Sequence, residues 1–179
     1  FALGLHRLFP GRKLFSNELM SYFSHDEKCR VEALSGCFMV ARRQAVESVG
    51  PLDERFFMYS EDVDWCRRFR DQWWDIVFNP VTSAIHYGGG SSATVSVRAA
   101  AEQQKAILQY WAKHHTKIET AMLRSILFLH HALRAVGSFI GYVACPPGRA
   151  HAAVSMQRAF ACIRCALGTV RPERLNRKD

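Results

Sequence analysis

Residues able to do chemistry are densest between positions 52 and 66, where Asp53, Glu54, Glu61, Asp62 and Asp64 stand among Phe56, Phe57, Tyr59 and Trp65. A carboxylate at a helix start, flanked by apolar walls, can have its proton affinity tuned for general-base work. The same spacing also has a purely structural meaning. Glu61 and Asp62 complement the dipole of an expected helix, and Asp64 stands one turn before Arg68. His86 is the second candidate, at the end of an expected strand and facing Gly88-Gly89-Gly90-Ser91-Ser92, where backbone can approach a ligand closely. It could ligate a divalent metal, touch a phosphate, or simply pack, since no clustered ligands accompany it in sequence. The glycines match neither G-x-G-x-x-G nor G-x-x-x-x-G-K-[ST] ahead of a helix, which excludes a Rossmann or P-loop reading.

These residues need elements to hold them. Residues 1–30 mix Pro10, Gly11, basic and aromatic residues without a period and read as a connecting loop or lid segment. The β-forming run 31–41 predicts a strand, bent or bulged at Gly36. A short helix over 42–49 follows, stopped by Gly50-Pro51. A second helix runs from Glu61 to about Arg70, with acids in its first turn and Arg67, Arg68 and Arg70 in its last. Short strands are expected at 76–79 and 83–87, split by Pro80, and from Val97 the pattern is helical, broken at Pro146-Pro147-Gly148.

The 179 residues suffice for one core plus an appendage. Phe1 leads at once into what reads as mid-domain sequence, and the chain is read as a fragment. Six cysteines without disulfide-like spacing, and no leading charged-then-apolar segment, point to a reducing, cytoplasmic setting. Residues 1–99 carry 12 Lys/Arg against 12 Asp/Glu, whereas 100–179 carry 12 against 4, so the whole excess of +8 sits in the tail. Such a field attracts nucleic acid, anionic lipid or acidic protein alike.

The ordered set Val31-Glu32, Ser35-Gly36-Cys37-Phe38-Met39-Val40, Arg42-Arg43, Val49-Gly50-x-Leu52-Asp53-Glu54-x-Phe56-Phe57-Met58-Tyr59, Glu61-Asp62-Val63-Asp64-Trp65-Cys66, Arg68, Asn79-Pro80 and His86-x-x-Gly89-x-Ser91 resembles family 2 glycosyltransferases of the rhamnosyltransferase type. The resemblance is strong over 31–92 and implies an α/β fold. It implies the C-terminal, acceptor-side half of a GT-A catalytic domain over 31–96, followed by a mainly helical basic tail over 97–179. It implies that Asp62 is the general base of an inverting displacement. Glu61, Asp64, Tyr59 and Trp65 would line or order the acceptor pocket, and His86 would complete a site for a divalent metal (Mg or Mn) and diphosphate; the metal is expected only with a missing N-terminal half, and the fragment by itself is expected to be inactive. The implied partners are a nucleotide-sugar donor and a saccharide or lipid-linked acceptor in cell-surface polysaccharide synthesis. Two departures stand out. Trp73 occupies a helix-end position where family members carry glycine, and no Asp-x-Asp motif or nucleotide-binding run precedes residue 31. Asp62 and Asp64 form such a string only by accident of spacing, so a noncatalytic remnant is one alternative.

In the tail, Ile118, Met122, Ile126, Leu129, Leu133, Val136, Ile140 and Val143 recur at three- and four-residue steps, with Lys117, Arg124, His131 and Arg134 opposite. This basic amphipathic pattern suits an anionic membrane surface, peripheral on the inner face of the cell membrane, or packing on the protein's own core. Arg124, His130, His131 and Arg134 argue against a spanning segment. Cys162 and Cys165 read as helix-face residues, since half a zinc site has no second pair nearby. Nucleic-acid binding through the tail is the remaining alternative. No zinc-finger spacing or other recognised motif accompanies the charge, so no nucleic-acid partner is expected.

Overall fold

The computed structural model describes residues 24–85 and 96–168. The chain divides into two compact units, 1–90 and 91–179. In the first, β1 (Cys29–Arg30), α1 (Arg43–Val49), α2 (Glu61–Asp71) and β2 (Val77–Phe78) follow in order. β1 and β2 pair antiparallel, Cys29 opposite Phe78 and Arg30 opposite Val77. No parallel sheet occurs among the described residues. The core comprises Ala45, Cys66, Phe69 and Ile76, with Met39, Trp65 and Trp74 packed against it. Full burial of a side chain such as Phe69 contributes about 1.5–3 kcal/mol.

Both short helices form where their local signals place them. α1 stops because Gly50 takes φ 82°, a conformation open to glycine, while its N–H bonds the Val46 carbonyl at 2.8 Å. The strand expected over 31–41 does not form. Val31 extends the ladder by one bond, its N–H reaching the Ile76 carbonyl at 3.0 Å. Beyond it the chain runs along α2. The Leu34 N–H points to the Cys66 sulfur at 3.5 Å, and the Gly36 N–H donates to Asp62 Oδ2 at 2.8 Å. Helix side chains thus take the donors that a neighbouring strand would otherwise use. The expected strand at 76–79 shrinks to Val77–Phe78, and 83–85 has no regular structure.

α2 ends in a Schellman motif. The Trp74 N–H bonds the Phe69 carbonyl at 3.0 Å, and the Trp73 N–H bonds that of Arg70 at 2.9 Å. Trp73 holds the left-handed position itself, at φ 64°, with its indole 95% exposed. The turn is therefore kept without glycine, at a steric cost of about 1–2 kcal/mol.

The second unit contains α3 (Ser96–His114), α4 (Lys117–Ala144), a 3-10 turn at Pro146–Gly148 and α5 (Arg149–Ala166). A capping box starts α4. The Glu119 N–H donates to Thr116 Oγ1 at 3.2 Å, and the Thr116 N–H donates to Glu119 Oε2 at 2.8 Å. Pro146 and Pro147 end its ladder. The apolar stripe read from the sequence is present but turned outward. Ile118, Met122, Leu129, Leu133 and Ile140 are exposed, so this stripe does not pack within the helical unit. The opposite stripe packs instead: Arg124 Nη1 donates to the Ala166 carbonyl at 3.1 Å, and His131 Nε2 lies 3.2 Å from Gln104 Oε1. Among the described residues, α4 is long and apolar enough to cross a membrane by length and composition, although its charges argued otherwise. Cys162 and Cys165 are buried on α5, their thiols donating to the carbonyls of Ala100 and Ala101 on α3.

Two outcomes follow. Trp73→Gly raises the unfolding free energy by about 0.5–1 kcal/mol in urea titrations, since glycine takes a positive φ without strain. Burial, reinforced by His130 and Arg134, pushes His131 down from its usual 6.5 to about 4. The unfolded chain therefore takes the proton first: stability is full above about pH 6.5 and declines toward pH 4. His131→Leu reduces that slope when unfolding is followed by far-UV circular dichroism across this range.

Candidate functional site

The site is built on the first two turns of α2 and the chain that enters them. Tyr59 and Ser60 both take left-handed backbone, at φ 69° and 63°. Two successive strained residues cost on the order of 1–3 kcal/mol each, and such strain gathers where geometry matters for function. They turn the chain so that Glu61 opens α2. Ser60 sits in the cap position without a side-chain cap bond.

Asp62 is oriented by two backbone donors. Gly36 N–H reaches its Oδ2 and its neighbour Val63 N–H reaches its Oδ1, each at 2.8 Å. Gly36 is needed for that approach, since a Cβ there would lie 3.3 Å from Asp62 Cβ. Two residues of extended chain, about 6.7 Å, match four residues of helix, about 6 Å. Leu34 and Gly36 therefore register against Cys66 and Asp62 on one face of α2. Each Asp62 oxygen keeps a lone pair for a further donor. Beside it, Glu61 Oε2 is buried and has no hydrogen-bond partner. A buried carboxylate oxygen left so is expensive and is poised to accept a donor from a ligand.

Asp64 turns away from Asp62, and Trp65 packs toward α1 and Phe69. Asp64 is fully buried, its Oδ2 paired with Arg68 Nε at 2.9 Å. Arg68 also donates to the Val49 carbonyl at 2.9 Å and the Pro51 carbonyl at 2.7 Å. The indole N–H of Trp65 donates to the Gly50 carbonyl at 2.9 Å, and its ring lies 4.8 Å from that of Phe69. The pairing reading of Asp64 thus holds. Of the two roles that the resemblance leaves open for Asp64, ordering the pocket or touching the acceptor, its full burial favours the first, and the Trp65 indole N–H is committed to the end of α1. Tyr59 is half-buried at the strained corner.

Asp62 and Asp64 diverge, as residues two apart on a helix must. Among the described residues no three His, Cys, Asp or Glu side chains converge on one point. His86 lies outside the described residues. Among the described residues alone, the divalent-metal site that the resemblance implies is not assembled. A concavity of about 1080 Å³ lies nearby, but its walls include the core residues Ala45, Phe69 and Ile76, and neither Glu61 nor Asp62. It is a feature of the core side of the unit. Sequence reasoning treated Gly36 as a bend and gave no role to Cys66. The Ser-Gly-Cys spacing was the available signal, but what it meets across the fold is not written locally.

No protein-family model and no solved structure matches the chain. Two curated relatives do, both N-acetylglucosaminyl-diphospho-decaprenol L-rhamnosyltransferases of Mycobacterium tuberculosis, from strains CDC 1551 / Oshkosh and ATCC 25618 / H37Rv. Each is 34% identical over 102 residues, which is 57% of this chain and 33% of the relative. The chain spans about a third of the length of the curated relatives it matches. At this coarse level the chain is glycosyltransferase-like.

The Gly36–Asp62 contact is testable on its own. Gly36→Ala lowers the unfolding free energy by about 1–2 kcal/mol in urea denaturation, because its methyl group presses on Asp62 and α2 cannot retreat from its packing. Gly36→Leu lowers it further.

Proposed function

We propose that the first unit is the acceptor-side part of an inverting glycosyltransferase of the GT-A, family 2 type, using a nucleotide-sugar donor and a lipid-linked or saccharide acceptor. The observation that carries this reading is Asp62, held by the Gly36 and Val63 backbone N–H groups beside the unpartnered oxygen of Glu61. The similarity to relatives named as L-rhamnosyltransferases of a diphospho-decaprenol supports it, as does the ordered motif set.

In the proposed step an acceptor hydroxyl donates to a free lone pair of Asp62. As its oxygen bonds the anomeric carbon, the proton passes to the carboxylate. The anomeric carbon–oxygen bond to the nucleoside diphosphate breaks, and that electron pair leaves with the diphosphate. A single displacement inverts the configuration. Glu61 accepts a second hydroxyl of the acceptor and fixes its angle of approach, a positioning contribution of the kind that oriented binding supplies.

Asp62→Asn keeps an acceptor for the Gly36 N–H but cannot take a proton. In the protein carrying this chain it lowers transfer from nucleotide-sugar to a lipid-linked acceptor by about 10²–10⁴-fold, the span ordinarily contributed by a general base. The unfolding midpoint stays near that of the wild type. Turnover at the wild-type rate rules out Asp62 as the base.

A further inference from the structure

The helical unit turns several polar groups inward and most of the large apolar groups of α4 outward, although Leu127 and Leu108 of α3 are buried. Thr120, Arg124, His131 and Ser138 occupy the stripe of α4 that faces α3 and α5, and Ser138 Oγ bonds Ser155 Oγ at 2.8 Å. The packed side chains around them are mostly small: Ala106, Ala152, Ala159 and Cys162 are buried. Even so, Gln104 Nε2, His131 Nδ1 and Arg158 Nε are buried without a partner. On the outer face, Met122, Ile126, Leu129, Leu133, Phe139 and Ile140 are each 47–65% exposed. Across 121–144, all described, Arg134 is the exposed charged residue. Water favours the opposite arrangement, with an apolar stripe inside and charges outside. Small residues and polar pairs between helices, with large apolar residues outward, are the pattern of helices packed in lipid.

We propose that α4 lies in the plane of one leaflet of a lipid bilayer, its outer face in the hydrocarbon, with α3 and α5 roofing it on the water side. The orientation follows from its neighbours. Arg98 and Gln103 on α3, and Gln157 and Arg164 on α5, are exposed and need water, which an upright bundle would deny them. A second copy of the chain fits the face less well. At about 100° per residue the apolar arc is about 160° wide, broader than the narrow seam one facing helix covers, and it lacks the polar rim of a protein interface. Attachment is apolar in origin. Arg124, which sequence offered to lipid headgroups, is spent on the Ala166 carbonyl.

The inference is independent of sugar transfer and is read as lipid partition, so either can fail alone. The full chain is floated with vesicles of neutral phosphatidylcholine at low salt and at 1 M salt. Equal flotation in both is expected, and loss at high salt, or a requirement for anionic lipid, overturns apolar attachment. Leu129→Glu with Leu133→Glu, both on exposed positions, lowers partition at least tenfold with far-UV circular dichroism unchanged. Undiminished flotation of that variant overturns the assignment of the face, as does a stable dimer that ignores vesicles. A membrane-impermeant maleimide added outside, read peptide by peptide in Lys117→Cys, distinguishes the geometry. Labelling of both position 117 and the native Cys145 at the far end of α4 supports the in-plane placement. Protection of one end means the helix spans, and overturns it.

Discussion

The first unit depends on how α2 captures the end of α1. Three successive carbonyls, those of Val49, Gly50 and Pro51, are taken by α2 side chains: Arg68 binds the first and third, and Trp65 the second. Arg68 can do this because Asp64, fully buried, fixes its guanidinium from one turn away. A buried pair is stabilising only when its remaining hydrogen-bonding capacity is used, and removing one partner from such a pair costs about 3–5 kcal/mol. Here the guanidinium's other donors close on a helix end whose carbonyls have no partners of their own. The pair therefore acts as a latch between two short helices, neither long enough to be stable alone.

That latch explains why the candidate base can be held by so little. With α2 fixed against α1, Asp62 and Cys66 project on the face that receives the chain at Leu34 and Gly36. The left-handed pair Tyr59–Ser60 is anchored on its far side by the first bond of α2, the Asp64 N–H reaching the Ser60 carbonyl at 2.9 Å. One helix thus carries two jobs: Asp64, Trp65 and Arg68 hold the scaffold, while Asp62, on another face, meets the chain at Gly36. The alternation of acidic residues that looks like a metal motif in sequence is a division of labour around a helix.

What could be read from the sequence was what local chemistry decides. The limits of α1 and α2, the Asp64–Arg68 pair and the break at the paired prolines follow from residues within a turn of each other, and the structure has each of them. The conflict at Trp73 was also visible, as a bulky residue at a helix end that favours glycine. Its resolution, an indole turned into solvent with the backbone bonds kept, required the fold. The run 31–41 was misjudged because β-forming side chains describe what a segment tolerates, whereas its backbone donors are satisfied by partners some thirty residues away. The hydrogen bond of the Trp65 indole to the Gly50 carbonyl was not legible either, because an aromatic residue beside carboxylates looks alike whether it lines a site or anchors a helix.

The helical unit shows a different limit of the same kind. The period of α4 was plain, and so were the two stripes it separates, but periodicity is symmetric about the helix axis and does not say which stripe meets the protein. The usual inference assigns the apolar side to the interior, because water is the assumed surroundings. Arg124, His131 and Ser138 invert it here, each bonded to α3 or α5 or the chain just beyond, with small residues letting the helices close around them. Large side chains at those positions would hold the helices apart and leave the polar groups unable to reach each other. The polar interior and the small-residue packing thus require one another, and most of the large apolar residues of α4, Leu127 apart, lie on the outside.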